Sequence, residues 1–247
     1  MTTPVRDAST VVLLRDGRDG VDAWLLTRVT QMEFAAGMTV FPGGRVDEAD
    51  HELPWAGTPA SQVASRLGCA DDEARALVGA AVREVFEETG VLLSVPPADL
   101  RAARADVEAG RVPFGELLRG HALAVDASAV QPLARWITPV GEVRRYDTRF
   151  FVAAVPPGVE PEDVTTESSV AGWVPVADAL AQYERRERQM LPPTVTMLRS
   201  IAGLPKVADV LAAAATRSMD PVSPVLGRDD EGHYVELPDG TRIRFGR

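Results

Sequence analysis

Glu84, Glu87 and Glu88 stand at i, i+3 and i+4 in the run Arg83-Glu84-Val85-Phe86-Glu87-Glu88-Thr89-Gly90-Val91. On a helix that spacing puts three carboxylates on one face within about one turn. The arrangement works against local stability. The Glu84–Glu88 like-charge pair costs roughly 0.2–0.5 kcal/mol in an isolated helix, and negative charge near a helix C-terminus opposes the macrodipole. A hard divalent cation reverses the sign, because Mg²⁺ takes oxygen ligands and keeps several waters. Arg83 reaches Glu87 at i+4 and can hold it. By itself the pattern also fits a solvated acidic face.

The elements that must carry these residues are legible on either side. Asp71 or Asp72 can cap a helix that Gly90 stops, so the spacing predicts a helix over 71–89. Its buried face is Val78, Val82 and Val85. Strands are expected over 9–14 and 21–27, with Asp16-Gly17 and Asp19-Gly20 as turns. A loop with a short strand near Met38 to Phe41 ends in Phe41-Pro42-Gly43-Gly44. Residues 46–70 show weak periodicity and look like an insertion. A short strand follows over 91–95. Two helices lie within 98–124, and two strands within 135–155. Helices are expected over 176–188, 194–202 and 207–215. A hairpin turns at Pro238-Asp239-Gly240.

The 247 residues carry a net charge of −10, with 45% hydrophobic and 25% charged residues. That is enough chain for one elaborated domain with a sizeable core. The acidic balance argues against a broad nucleic-acid surface and suits divalent cations. Cys69 is the one cysteine, so no internal disulfide can form and no Cys/His metal spacing exists. No apolar run is long enough to span a membrane, and Met1 to Asp7 lacks the apolar core of a signal peptide. The chain ends Phe245-Gly246-Arg247, which is no peroxisomal signal. A cytoplasmic location is expected. Lys206 is the single lysine, an arginine bias associated with GC-rich bacterial coding.

Residues 83–91 resemble the second half of the Nudix box at every defined position. The first half resembles Gly44, with Asp50 six residues later where the family has Glu. Between them lies an insertion of about 25 residues relative to the uninterrupted box. An interrupted box resembles the peroxisomal CoA-diphosphatase branch of the Nudix hydrolase family. So do Phe41-Pro42-Gly43-Gly44, Trp136-x-Thr138-Pro139, Arg144 to Phe151, Trp173 and the Leu191-Pro192-Pro193 region.

The resemblance implies an α/β fold of Nudix type. This is an α/β/α sandwich with a mixed sheet in a single domain, with the box insertion at about 46–70 and a C-terminal helical extension with a hairpin at about 176–247. It implies Glu84, Glu87 and Glu88 as metal ligands, helped by the Gly44 carbonyl, with Mg²⁺ or Mn²⁺ as cofactor. Glu84 and Arg83 would belong to the catalytic machinery. It implies Glu167, six residues before Trp173, as the base acting on the attacking water; Glu160 and Glu162 fit less well. The expected substrate is a small nucleoside-diphosphate-linked molecule: CoA or acyl-CoA, with ADP-ribose or NADH as the alternative. A nucleotide-sensing domain without catalysis is the reading from another class, and retention of all three glutamates argues against it.

Arg28, Arg144, Arg145 and Arg149 are candidates for binding substrate phosphate. On a strand, Arg145, Asp147 and Arg149 share one face, which fits a phosphate clamp or a structural network around Asp147. Trp24, Trp136 and Trp173 read as core. His51, His121 and His233 lack ligand spacing, and Cys69 reads as inert. Oligomeric state stays open, a homodimer included.

Overall fold

The computed structural model describes residues 4–28, 37–162 and 168–245. Its first strand explains its architecture. In β1 (Val5–Asp16), Val11 to Leu14 are all fully buried, as expected of a strand covered on both faces rather than one. β2 (Val21–Arg28) returns antiparallel to it, followed by β3 (Thr39–Val40) and β4 (Gly43–Arg45). β1 pairs with β2 only near their shared turn, from Leu14↔Ala23 to Asp16↔Val21, and with β4 through Ala8 to Thr10. The sheet therefore parts between β1 and β2, and β4 becomes the neighbour of β1's first half.

The stretch read as an insertion is structured. It holds a 3₁₀ turn (Glu48–Glu52), β5 (Trp55–Ala56) and the helix α1 (Ala60–Leu67). Pro59 and Gly68 bracket α1, and Val63, Ala64 and Leu67 are its buried face. α2 spans Asp71–Thr89, with acids in its first turn and Gly90 as a left-handed cap whose N–H bonds Phe86 O at 2.8 Å. β6 (Ser94–Val95), α3 (Arg104–Glu108), α4 (Phe114–Gly120) and β7 (Ala124–Asp126) follow; β5, β7 and β6 make a small sheet. The expected strand over 91–95 is thus confined to its last two residues.

β8 (Gln131–Ile137), β9 (Arg145–Ala154) and β10 (Ser168–Pro175) complete the large mixed sheet with β11 (Pro221–Val222), in the order β10-β2-β1-β9-β8-β11. The strand β10 was not expected. β1 and β9 run parallel in a register that sets Ser9 beside Arg149 and Thr10 beside Phe150. α5 (Val176–Glu184), α6 (Pro192–Ile201) and α7 (Val207–Ala215) come next, then the antiparallel meander β12 (Val225–Asp229), β13 (Gly232–Glu236) and β14 (Arg242–Arg244).

Alternation along the strands divides the core. Val11, Leu13, Phe151 and Ala153 pack on one face with Leu77, Val78, Val82, Val85 and Phe86 of α2. Val12, Leu14, Phe150 and Val152 pack on the other with Val195 and Leu198 of α6, Val210 of α7, and Val235 and Ile243 of the meander. Among the described residues, no helix is long and apolar enough to cross a membrane.

Candidate active site

α2 is fixed against the sheet by more than its apolar face. Ser9 Oγ donates to Leu77 O at 2.6 Å. The 3₁₀ turn lies so close to the helix that a Cβ on Gly79 would stand 2.7 Å from Asp50 O. That contact delivers Asp50 to Arg83. Arg83 donates Nε to Asp50 Oδ1 at 2.9 Å and Nη2 to Asp50 Oδ2 at 3.0 Å, and a further Nη2 bond reaches Arg45 O at 2.9 Å. Its Nη1 donates to Glu84 Oε1 at 2.9 Å and Glu87 Oε2 at 3.3 Å. The expected Arg83–Glu87 contact is therefore one spoke of a hub. Burial alone would lower the guanidinium's pKa, but the Asp50 hydrogen bonds and the charges of Glu84, Asp50 and Glu87 outweigh it and hold it well above its ordinary value.

The carboxylates show the opposite strain. Burial raises Glu84, against the pull of the Arg83 charge and hydrogen bond, with Asp50 and Asp47 adding repulsion. Burial lifts Glu87 to about 7, again opposed by Arg83 and reinforced by Glu84. Glu88 accepts the Gly43 N–H at 2.9 Å. Gly44 runs directly under Glu84: a Cβ there would lie 2.6 Å from Glu84 Cδ.

Among the described residues, no three His, Cys, Asp or Glu side chains converge into a ready-made metal cage. Arg83 draws Glu84 and Glu87 to itself, and Gly43 holds Glu88. The donor set nonetheless fits a hard divalent cation. It consists of carboxylate oxygens, and burial raises Glu84 and Glu87 above the ordinary carboxylate range in spite of Arg83, so a further positive charge there would be favoured.

Glu84, Glu87 and Glu88 line a cavity of about 620 Å³ together with Gly43, Gly44 and Arg45. The cavity is also lined by Thr10, Trp136, Tyr146, Thr148 and Phe150 of the sheet, by Arg144 just before β9, and by Leu191 to Thr194 at the start of α6. Leu226, Val235 and Phe245 close the wall.

The four candidate arginines separate. Arg144 lines the cavity. Arg145 and Arg149 fall on the sheet face away from Tyr146, Thr148 and Phe150. Arg145 Nε bonds Thr138 O and Pro139 O, each at 3.1 Å, and so ties the β8–β9 connection. Arg149 is 1% exposed, paired with Asp147 and with Glu73 at 3.2 Å. Arg149 is not among the residues lining the cavity; strand alternation turns it into a buried Arg–Asp network, the structural alternative, which Arg135 joins at 2.6 Å from Asp147. Arg28 ends β2 opposite Ser168, and its side chain is outside the described part, as is Glu167.

Glu160 accepts from Trp173 Nε1 at 3.2 Å, and Glu162 pairs with Arg101 at 3.6 Å. Trp24 and Trp136 are buried, as expected of core, although Trp136 also faces the cavity. His51 bonds Asp72 at 2.8 Å. Burial, then Glu73, pushes the Cys69 thiol up to about 11, the environment of an unreactive cysteine.

A mixed sheet between helices, with this acidic helix beside a parted sheet, is the architecture of the Nudix hydrolases. The chain superposes on the crystal structure of a NUDIX hydrolase from Alicyclobacillus acidocaldarius with a TM-score of 0.74 at 27% identity, over 89% of this chain and 99% of that one. The family model of the NUDT19 Nudix domain matches residues 70–201, just over half of the chain, and the chain belongs to that family. It is 26% identical over 219 residues to the acyl-coenzyme A diphosphatase NUDT19 of Gallus gallus, covering 68% of this chain and 57% of that protein. It is 30% identical over 181 residues to putative nudix hydrolase 7 of Caenorhabditis elegans, covering 69% and 52%. The chain thus spans a little over half the length of these curated relatives.

Proposed function

We propose that this protein hydrolyses the pyrophosphate bond of CoA or an acyl-CoA, giving 3′,5′-ADP and (acyl-)phosphopantetheine. The observation that carries the reading is a single cavity joining the Glu84, Glu87 and Glu88 carboxylates to a largely apolar wall. A substrate with a charged diphosphate and a long arm has the same division. The likeness to a named acyl-coenzyme A diphosphatase supports the substrate class.

Glu84, Glu87 and Glu88, with the Gly44 carbonyl, would hold Mg²⁺ or Mn²⁺, which neutralises pyrophosphate oxygens and makes a bound water a better nucleophile. Arg83, fixed by Asp50, keeps Glu84 and Glu87 from turning away from the cavity. The Gly43 N–H orients Glu88. Arg144 offers a planar fork of donors to a phosphate, with Arg28 as a second cation at the end of β2. Glu167 takes the proton from the attacking water.

The test is a product screen with CoA, acyl-CoAs, NADH, ADP-ribose and dinucleoside polyphosphates, each with Mg²⁺ and Mn²⁺. The highest kcat/KM is expected for a CoA species, with 3′,5′-ADP released. A clear preference for ADP-ribose or NADH overturns the substrate while leaving pyrophosphate hydrolysis. No cleavage of any of them overturns both.

A further inference from the structure

The meander β12–β14 follows residue 201, where the match to the family model ends. It nevertheless supplies Leu226, Val235 and Phe245 to the same cavity as the three glutamates. We infer that this C-terminal meander is a substrate-selecting wall that receives the acyl chain of an acyl-CoA. The inference rests on the CoA reading above and deepens it.

The wall is anchored. Val235 pairs with Ile243 across β13 and β14, and both are buried in the core shared with α6 and α7. Tyr183 of α5 donates its hydroxyl to Arg244 O at 2.8 Å. A Cβ on Gly227 would collide with the Tyr234 ring, so β12 lies tight against β13. Such a surface can be shape-selective, because it does not need to fold when substrate arrives.

The surroundings are chemically suited to hydrocarbon. Met38, Phe41, Trp136, Phe150 and Leu191 line the cavity with the three meander residues. A free thiol terminus has little with which to use that surface; an acyl chain does, since each methylene moved out of water is worth about fourfold in affinity. There is also room beyond. A second cavity of about 570 Å³ shares Glu142, Leu226 and Phe245 with the first and continues along Gly227, Arg228 and His233. Leu226 and Phe245 line both cavities, so substitutions there alter the wall of each.

The experiment compares kcat/KM for acetyl-CoA and dodecanoyl-CoA, with the full chain, in the wild type, Leu226→Asp, Phe245→Asp, the milder Leu226→Ser and the conservative Leu226→Met. The readout is the dodecanoyl-to-acetyl ratio. Both substrates are turned over by the same folded fraction, so partial misfolding of a variant cancels. The wild-type ratio is expected at about tenfold or more, expressed mainly in KM. Leu226→Asp and Phe245→Asp should lower it about tenfold, Leu226→Ser less, and Leu226→Met should keep it. A wild-type ratio near one, or a ratio unchanged in both Asp variants, overturns the inference while the CoA reading stands. If neither acyl-CoA is cleaved and ADP-ribose or NADH is, the CoA reading itself falls and the acyl role of the wall with it.

Discussion

Asp50 receives Arg83 through two hydrogen bonds, at 2.9 and 3.0 Å, across 33 residues of chain. Asp50 is 1% exposed and also accepts the Asp47 N–H at 2.8 Å. The pair joins the 3₁₀ turn at the start of the insertion to the acidic helix that follows it, so the two halves of the interrupted box meet in space. Arg83 can then present its remaining Nη1 to Glu84 and Glu87.

Asp50→Ala should therefore be costly. It leaves a buried guanidinium without its main counter-charge, a loss of about 3–5 kcal/mol in pairs of this kind. Urea denaturation reads it directly. A cost under about 1 kcal/mol, the range of a surface pair, would show that Arg83 is adequately neutralised by Glu84 and Glu87 alone.

Glu87→Gln and Glu88→Gln should each remove most activity and leave the protein folded. In metal-free buffer each should melt no lower than the wild type, because a repelling charge has gone. Excess EDTA should silence the wild-type enzyme. Full turnover in both variants, or turnover in EDTA, would detach these carboxylates from the chemistry.

Gly43 and Gly44 should respond differently to alanine. At Gly44 the added methyl meets the end of the Glu84 side chain; at Gly43 it meets Ser9 O and Thr10 Cα, backbone of β1. Gly44→Ala should fold and lose activity as Glu84 is displaced. Gly43→Ala should lower the melting temperature, since β4 must move off β1. Equal melting temperatures for the two variants would contradict this division.

The raised pKa of Glu87 makes stability depend on pH. With a folded pKa of about 7 against an unfolded value near 4.3, the native state binds more protons between the two. Its contribution is complete below the unfolded pKa and fades as pH rises towards 7. In metal-free buffer, stability from this site should decline between about pH 4.5 and 7. Glu87→Gln should flatten that decline. Millimolar Mg²⁺ should oppose it, because the cation binds the ionised form. Thermal melts across that range, with and without Mg²⁺, separate the cases; a decline just as steep in Glu87→Gln assigns it to another group.

Glu167→Gln should lower kcat with little change in KM, as expected for a group felt mainly in the transition state. A tenfold rise in KM at constant kcat would make Glu167 a substrate-binding residue instead.

Much of this was legible in the chain because the signals are local. Asp71 and Gly90 bound α2 where the spacing predicts, and α7 spans its expected 207–215. The shared face of Glu84, Glu87 and Glu88 follows from helical pitch alone. α1 was not legible, because eight residues between Pro59 and Gly68 are too short for their periodicity to stand out, and packing on α2 completes them. The partner of Arg83, the side of the sheet taken by Arg149, and the meander's place in the cavity wall were decided only by tertiary structure. Each depends on which distant segments touch: Asp50 meets Arg83 because Gly79 lets the 3₁₀ turn approach the helix. Arg149 is buried because the parallel register with β1 sets it beside Ser9, on the face that α2 covers. Side-chain period within one strand says which residues share a face; only the packing of other elements decides which face becomes core and which becomes the site.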